Sequence, residues 1–466
     1  MRLAWVVAIS LAVISSSCGE NGTTQPTPPA SIPPSVVPTT MPSTPEPSIS
    51  ESVPPAQAQV RYAFTHVSPD GNRLVGGHGR FPQVGRLTIK LNGIPAWVVG
   101  TDTGDGVLWV VALEDGRIEA FAVSGDSVGP AVVIPDRLPP GMPPALKVEN
   151  GEAKLIVAQS DSASTLTHAM PLDDSGRVAF IDESGTLIIS NGDVTASLDV
   201  NAPADARILT YGNGDLLVLA DQTLEYEHGA LGDKVEGGSI VLVSDTGSSP
   251  KFRKIELPPG DVVEGLSPIW ADVNGDGRRD IVVTMSNSEQ GARIVVFDRD
   301  GTLLGNGEPI GRGYRWRHQI AVGQFGSDGE TEIAVVRTPH IGGVVEFYRM
   351  TEKGLEIVAS TAGLTSHIFG TRNLDMAIAG DFDSNGQHEL IVPSQDRTTL
   401  FGISRVSAAP DAIDAISGTQ NGIRVAYSLP IDGRVVTNIA AARTDDGSIT
   451  IALGTEDGLL QIWGPE

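Results

Sequence analysis

One short pattern recurs along this chain, and any fold must accommodate every copy of it. A small polar residue is followed by Gly and then, within a few residues, by an apolar run. The column holds Asp105-Gly106, Asn150-Gly151, Asn213-Gly214, Asp276-Gly277, Asp328-Gly329, Asn385-Gly386 and Asp446-Gly447. The runs that follow include Val107 to Ala112, Leu155 to Ala158, Leu216 to Ala220 and Ile449 to Leu453. Spread over roughly four hundred residues, these copies recur about every sixty, enough for a four-stranded sheet and its loops. Asp115-Gly116, Asp457-Gly458 and Asp300-Gly301 lie beside or between further apolar runs. Asp-Gly in that setting marks a hairpin, because Gly takes positive φ without a Cβ clash. No helical period intervenes. The expected fold is all-β, a β-propeller of seven blades, each a four-stranded antiparallel sheet. Whether the segment from Arg61 to Trp97 completes a blade with the C-terminal strand stays open at this level.

Three copies are longer than the rest. They run from Ala271 to Val283, from Gly380 to Val392 and, partly eroded, from Gly323 to Val335. The Asp272 and Asp381 units resemble the FG-GAP, or VCBS, repeats of bacterial surface proteins and of the integrin α-subunit propeller. That resemblance implies structural calcium. The ion takes six to eight oxygens at about 2.3–2.6 Å, and alternate residues of a tightly wrapped loop supply them. The implied side chains are Asp272, Asn274, Asp276 and Asp280 in one loop, and Asp381, Asp383, Asn385 and Glu389 in the other. An EF-hand begins similarly but needs a Glu at position 12 between helices, where Val283 or Val392 stands here. In the eroded unit Gln324 and Gly326 replace ligands, leaving Asp328 and Glu332, so a metal-free turn is expected there.

The N-terminus directs attention to export. Met1-Arg2 precedes a mostly apolar run, Leu3 to Ile14, then Ser15-Ser16-Ser17-Cys18. Cys18 is the only cysteine, so no internal disulfide exists. A lone Cys after such a run resembles the bacterial lipoprotein signal, with 1–17 removed and Cys18 lipidated. Residues 18–58 are rich in Pro, Ser and Thr and cannot bury a core, which suits a disordered, extended stalk. The propeller is then expected over 59–466. Lys+Arg 32 against Asp+Glu 57 gives a net charge of -25, which argues against nucleic acid as a partner.

For catalysis the sequence offers little. Gly125-Asp126-Ser127-Val128-Gly129 matches a nucleophile elbow formally, but Pro130 and a short apolar run follow where a helix is required. A denser cluster lies at Arg312, Arg315, Trp316, Arg317 and His318, with His340 downstream. Arginines and aromatics together can grip carboxylates or stack on sugars, so this is the expected ligand patch. The reading is a lipid-anchored, extracytoplasmic, calcium-binding module without catalysis, engaging an extracellular or periplasmic protein or glycan. The alternative is a polysaccharide lyase-like enzyme on a calcium-binding propeller, which some relatives of the repeat family resemble.

Overall fold

The computed structural model describes residues 60–465 apart from 213, 245, 248, 408–418 and 421. Expectations for 1–17, the stalk 18–58, Cys18 and Asn213 therefore lie outside the described residues.

The described residues contain strands and turns and no helix. They form seven hydrogen-bonded sheets, one of them nine-stranded. In that sheet the short strand Val262–Val263 joins two four-stranded units, 209–256 and 269–306. The result is a β-propeller of eight units among the described residues. In ring order these blades are 95–130, 133–155 with Arg61–Phe64, 170–199, 209–256, 269–306, 317–362, 378–430, and 440–464 with Gly85–Lys90.

The expected seven falls one short because the third blade marks its corner differently. Its first turn is Asp173-Asp174-Ser175-Gly176, with Ser before the Gly. The geometry is nonetheless shared: Gly176 has φ 95°, and Ser175 N–H donates to Asp173 Oδ1 at 2.9 Å. The formal nucleophile elbow is a hairpin tip between Ile118–Ser124 and Ser127–Pro130, as expected.

Apolar runs become the second strands of blades. Asp280–Ser286, Val107–Leu113 and Ile449–Thr455 are buried at every residue, because each is covered on both faces by neighbouring blades. Outer strands such as Lys251–Glu256 are mostly exposed. Hydrophobic clusters join consecutive blades, for example Val322, Ile333 and Tyr348 with Ile269 and Val282. Leu460 and Ile462 of the eighth blade pack with Val98 and Trp109 of the first, so the ring closes.

Closure is covalently economical. Gly85–Lys90 pairs antiparallel with Leu459–Gly464 as the outer strand of the eighth blade. Residues 65–84 lead to it as a strap across the inner strands of blades four to seven and the start of the eighth blade's second strand. In order, Thr210 N–H donates to Pro69 O, Trp270 N–H to Asp70 O, Ala379 N–H to Arg73 O and Ile449 N–H to His78 O, each at 2.8–3.0 Å. Asn72 exchanges two 2.9 Å bonds with the Val322 backbone. The strap therefore meets blades four to eight in sequence.

At the hub Asp375, 1% exposed, receives Arg73 Nε at 2.6 Å and Arg207 at 2.9 and 2.8 Å. Burial pushes the Asp375 pKa up, but the Arg207 and Arg73 guanidiniums outweigh it and hold the carboxyl well below the ordinary range. Replacing Asp375 with Asn leaves two buried guanidiniums without their counter-charge. Urea unfolding is expected to show a loss of about 4 kcal/mol; a loss within measurement error would contradict this role.

Candidate metal centre

The two intact acidic corners connect the first and second strands of the fifth and seventh blades. Residues 272–279 join Ile269–Ala271 to Asp280–Ser286, and 381–388 join Ile378–Gly380 to Glu389–Pro393. Both wrap through backbone N–H groups that donate to the loop's own side-chain oxygens, though the two patterns coincide only in part. Asp272 accepts from Gly275 and Gly277 N–H at 2.7 and 2.9 Å, and Asp381 from Asn385 and Gly386 N–H at 3.0 and 3.1 Å. Asn274 and Asn385 accept from the N–H two residues on, at 2.9 and 2.7 Å. The closing acid of each loop caps it from the following strand: Asp280 accepts Val273 N–H at 3.0 Å, and Glu389 accepts Phe382 N–H at 2.8 Å.

The loops differ in how far their oxygens converge. Asp381, Asp383 and Glu389 place ligand atoms within 4.8 Å of one another, and they are the only such trio among the described residues. In the 272 loop, position 3 is Asn274, and Asp276 leans to Arg278 at 3.4 Å. Glu389 is 0% exposed, and its Oε1 has no hydrogen-bond partner. Burial, then the Asp383 charge, pushes its pKa up to about 8. Burial likewise raises Asp383 and Asp280, each with neighbouring loop carboxylates adding to the shift. A buried acid with a free oxygen beside two more carboxylates suits a hard cation of calcium type.

The eroded corner satisfies its acid another way. Glu332, the counterpart of Glu389, is 0% exposed and pairs with Arg405 Nε at 3.0 Å and with Arg349. Glu330 turns back to accept Asp328 N–H at 3.0 Å. Guanidinium charge occupies the position that a cation would take.

The expected ligand patch does not form one surface, which corrects that part of the sequence reading. Arg312 and Arg315 are exposed, the first paired with Glu289 and the second donating to Ile310 O at 2.8 Å. Trp316, Arg317 and His318 are buried, because the chain turns there from the ring's rim into the inner strand Arg317–Gly323. Arg317 pairs with Glu346 at 3.3 Å and donates to Ala292 O at 3.1 Å. His318 stacks on Trp316 with centroids 4.6 Å apart, and its Nδ1 meets Ser366 Oγ at 2.8 Å. His340, half-buried, reaches His367 Nδ1 at 2.6 Å. Sequence reading did not single out His367; only the fold brings it to this cluster.

Residues 272–335 match the family described as FG-GAP-like repeat. No curated protein matches the chain. Among solved structures, the β-propeller domain of Cps50 (Swd1) from Myceliophteria thermophila is similar at 11% identity and TM-score 0.41, covering 82% of this chain and 98% of that one. The C-terminal WD40 domain of Sif2 is similar at 8% identity and TM-score 0.43, covering 82% and 99%. The sheet order and cluster pairing above carry the propeller assignment.

The histidine cluster sets a pH response. Burial lowers the pKa of His367 to about 3 and of His340 to about 4, below the ordinary 6.5. As pH falls through 6.5 the unfolded chain takes these protons first, so this contribution to stability is present above 6.5 and lost toward 4. Replacing His367 with Asn is expected to make the stability loss from pH 7 to pH 5 smaller by about 1–2 kcal/mol, read from urea midpoints at each pH. An unchanged difference would contradict it.

Proposed function

We propose that this FG-GAP-repeat β-propeller is a calcium-stiffened binding module, held outside the cytoplasm by a lipid on Cys18 and engaging a protein or glycan. The observation that carries the reading is the convergence of Asp381, Asp383 and Glu389 around a buried, unpartnered oxygen. Asn385 completes the oxygen set, and Asp272, Asn274, Asp276 and Asp280 offer a second, more open loop. Bound calcium would neutralise carboxylates that otherwise repel, so its part is structural. Support for a non-catalytic role comes from the fate of the candidate base and cation: Arg317 is committed to Glu346, and His318 is 1% exposed. The lyase-like alternative has no observation in its favour.

Calcium at a hundred times its dissociation constant is expected to stabilise the protein by about 2.7 kcal/mol, seen as a higher melting temperature than in EDTA. Glu389→Gln should abolish most of that gain while leaving the EDTA melting temperature little changed, since burial already favours the uncharged acid when no cation is bound. Coincident melting curves with and without calcium would end the calcium reading. Independently, Cys18→Ser is expected to move the protein from the membrane fraction to the soluble fraction; retention in the membrane would remove the lipid anchor from the account.

A further inference from the structure

The 381–388 loop is gripped on two sides. Its carboxylates face one another, while its backbone meets the strap. Gly79 N–H donates to Asp381 O at 2.8 Å, and Phe81 N–H donates to Phe382 O at 2.8 Å. The Ser384 hydroxyl donates back to Gly79 O. Asp381 and Phe382 thus serve both sides: the carboxylate of one and the N–H of the other organise the acidic cage, and their carbonyls hold the strap.

The contact is close enough to be exclusive. A Cβ at Gly79 would collide with the Phe382 carbonyl oxygen. Ser384 sits at φ 62°, a left-handed conformation that a non-glycine residue keeps only where its surroundings fix it. Phe81, 1% exposed, sets its ring edge-on to Phe382 at 5.6 Å and lies 5.7 Å from Tyr427. Immediately beyond it the chain becomes Gly85–Lys90, the strand that closes the ring.

The other intact corner holds the opposite end of the strap. Arg279, inside the 272–280 loop, pairs with Asp70 and lies 4.0 Å over the Tyr211 ring. At the eroded corner between them, the strap's side-chain bonds go instead to the strand residue Val322 through Asn72. Both corners that keep their acidic residues fasten the strap, as does the eighth blade's corner, where His78 N–H donates to Gly447 O at 2.9 Å.

We infer that cation binding in the 381–389 loop and docking of the strap at Gly79–Phe81 are one linked event, so that the ion locks ring closure. This rests on the calcium reading above. With the cage empty, like charges push apart the same loop residues whose carbonyls receive the strap. With it filled, the cation draws them together and fixes Asp381 to Ser384 in the strap-holding form. Linkage requires the reverse as well: a docked strap tightens cation binding by the same factor.

The test is hydrogen exchange by mass spectrometry on the full chain, calcium-saturated against EDTA, with calcium binding measured in parallel by calorimetry. Exchange in peptides spanning 74–90 is expected to slow on the order of tenfold with calcium, while peptides of the third blade at 178–190 change little. Ser384→Ala keeps every carboxylate and is expected to weaken calcium binding several-fold and to shrink the protection of 74–90; Gly79→Ala should do more, if it folds. Calcium binding with unchanged exchange at 74–90, or with full affinity in Ser384→Ala, overturns the linkage and leaves the calcium reading standing. Absence of calcium binding overturns both.

Discussion

The whole ring is organised about one buried carboxylate. Asp375 lies in the connection between the sixth and seventh blades, Arg207 in that between the third and fourth, and Arg73 in the strap. Neither guanidinium could remain in so dry a place alone, and Asp375 could not stay ionised without them. Three distant stretches of chain are therefore fixed relative to one another by charge. Hydrophobic packing between blades is plentiful, but it is non-directional. The ion triad adds a register: it sets where the strap must lie, and through the strap which strand finishes the eighth blade.

A buried acid at the end of each long corner is a recurring problem in this fold, and the chain solves it in two ways. Glu332 is answered by Arg405 and Arg349. Glu389 has a backbone N–H on one oxygen and no partner on the other. The difference lies in neighbouring residues: Gln324 and Gly326 remove carboxylates from one loop, whereas Asp381 and Asp383 add them to the other. Arginine is permanent and makes its corner indifferent to solution conditions. The carboxylate cage of the seventh blade has no such built-in counter-charge.

Much of this was legible in the residues. Asx-Gly corners mark places where the backbone must take positive φ, and apolar runs after them become doubly covered strands, so unit length and class follow locally. The third blade escaped because Ser175 replaces the Asx residue, although Gly176 does the same conformational work. The strap was illegible for a deeper reason: residues 65–84 have no period, and their partners are hundreds of positions away. The cluster around Trp316 misled in the other direction. Arginine beside an aromatic looks like a surface site in sequence, yet Arg317 turns inward to Glu346 once its strand is placed. Composition identifies side chains able to bind; burial decides which of them solvent can reach.

The pairing of Gly85–Lys90 with Leu459–Gly464 has a consequence for how the molecule is made. The second of these strands follows the first through the ribosome after a delay on the order of 20–75 seconds, at about 5–20 residues per second. Through that interval the nascent chain has no partner for its closing strand and cannot complete the circle.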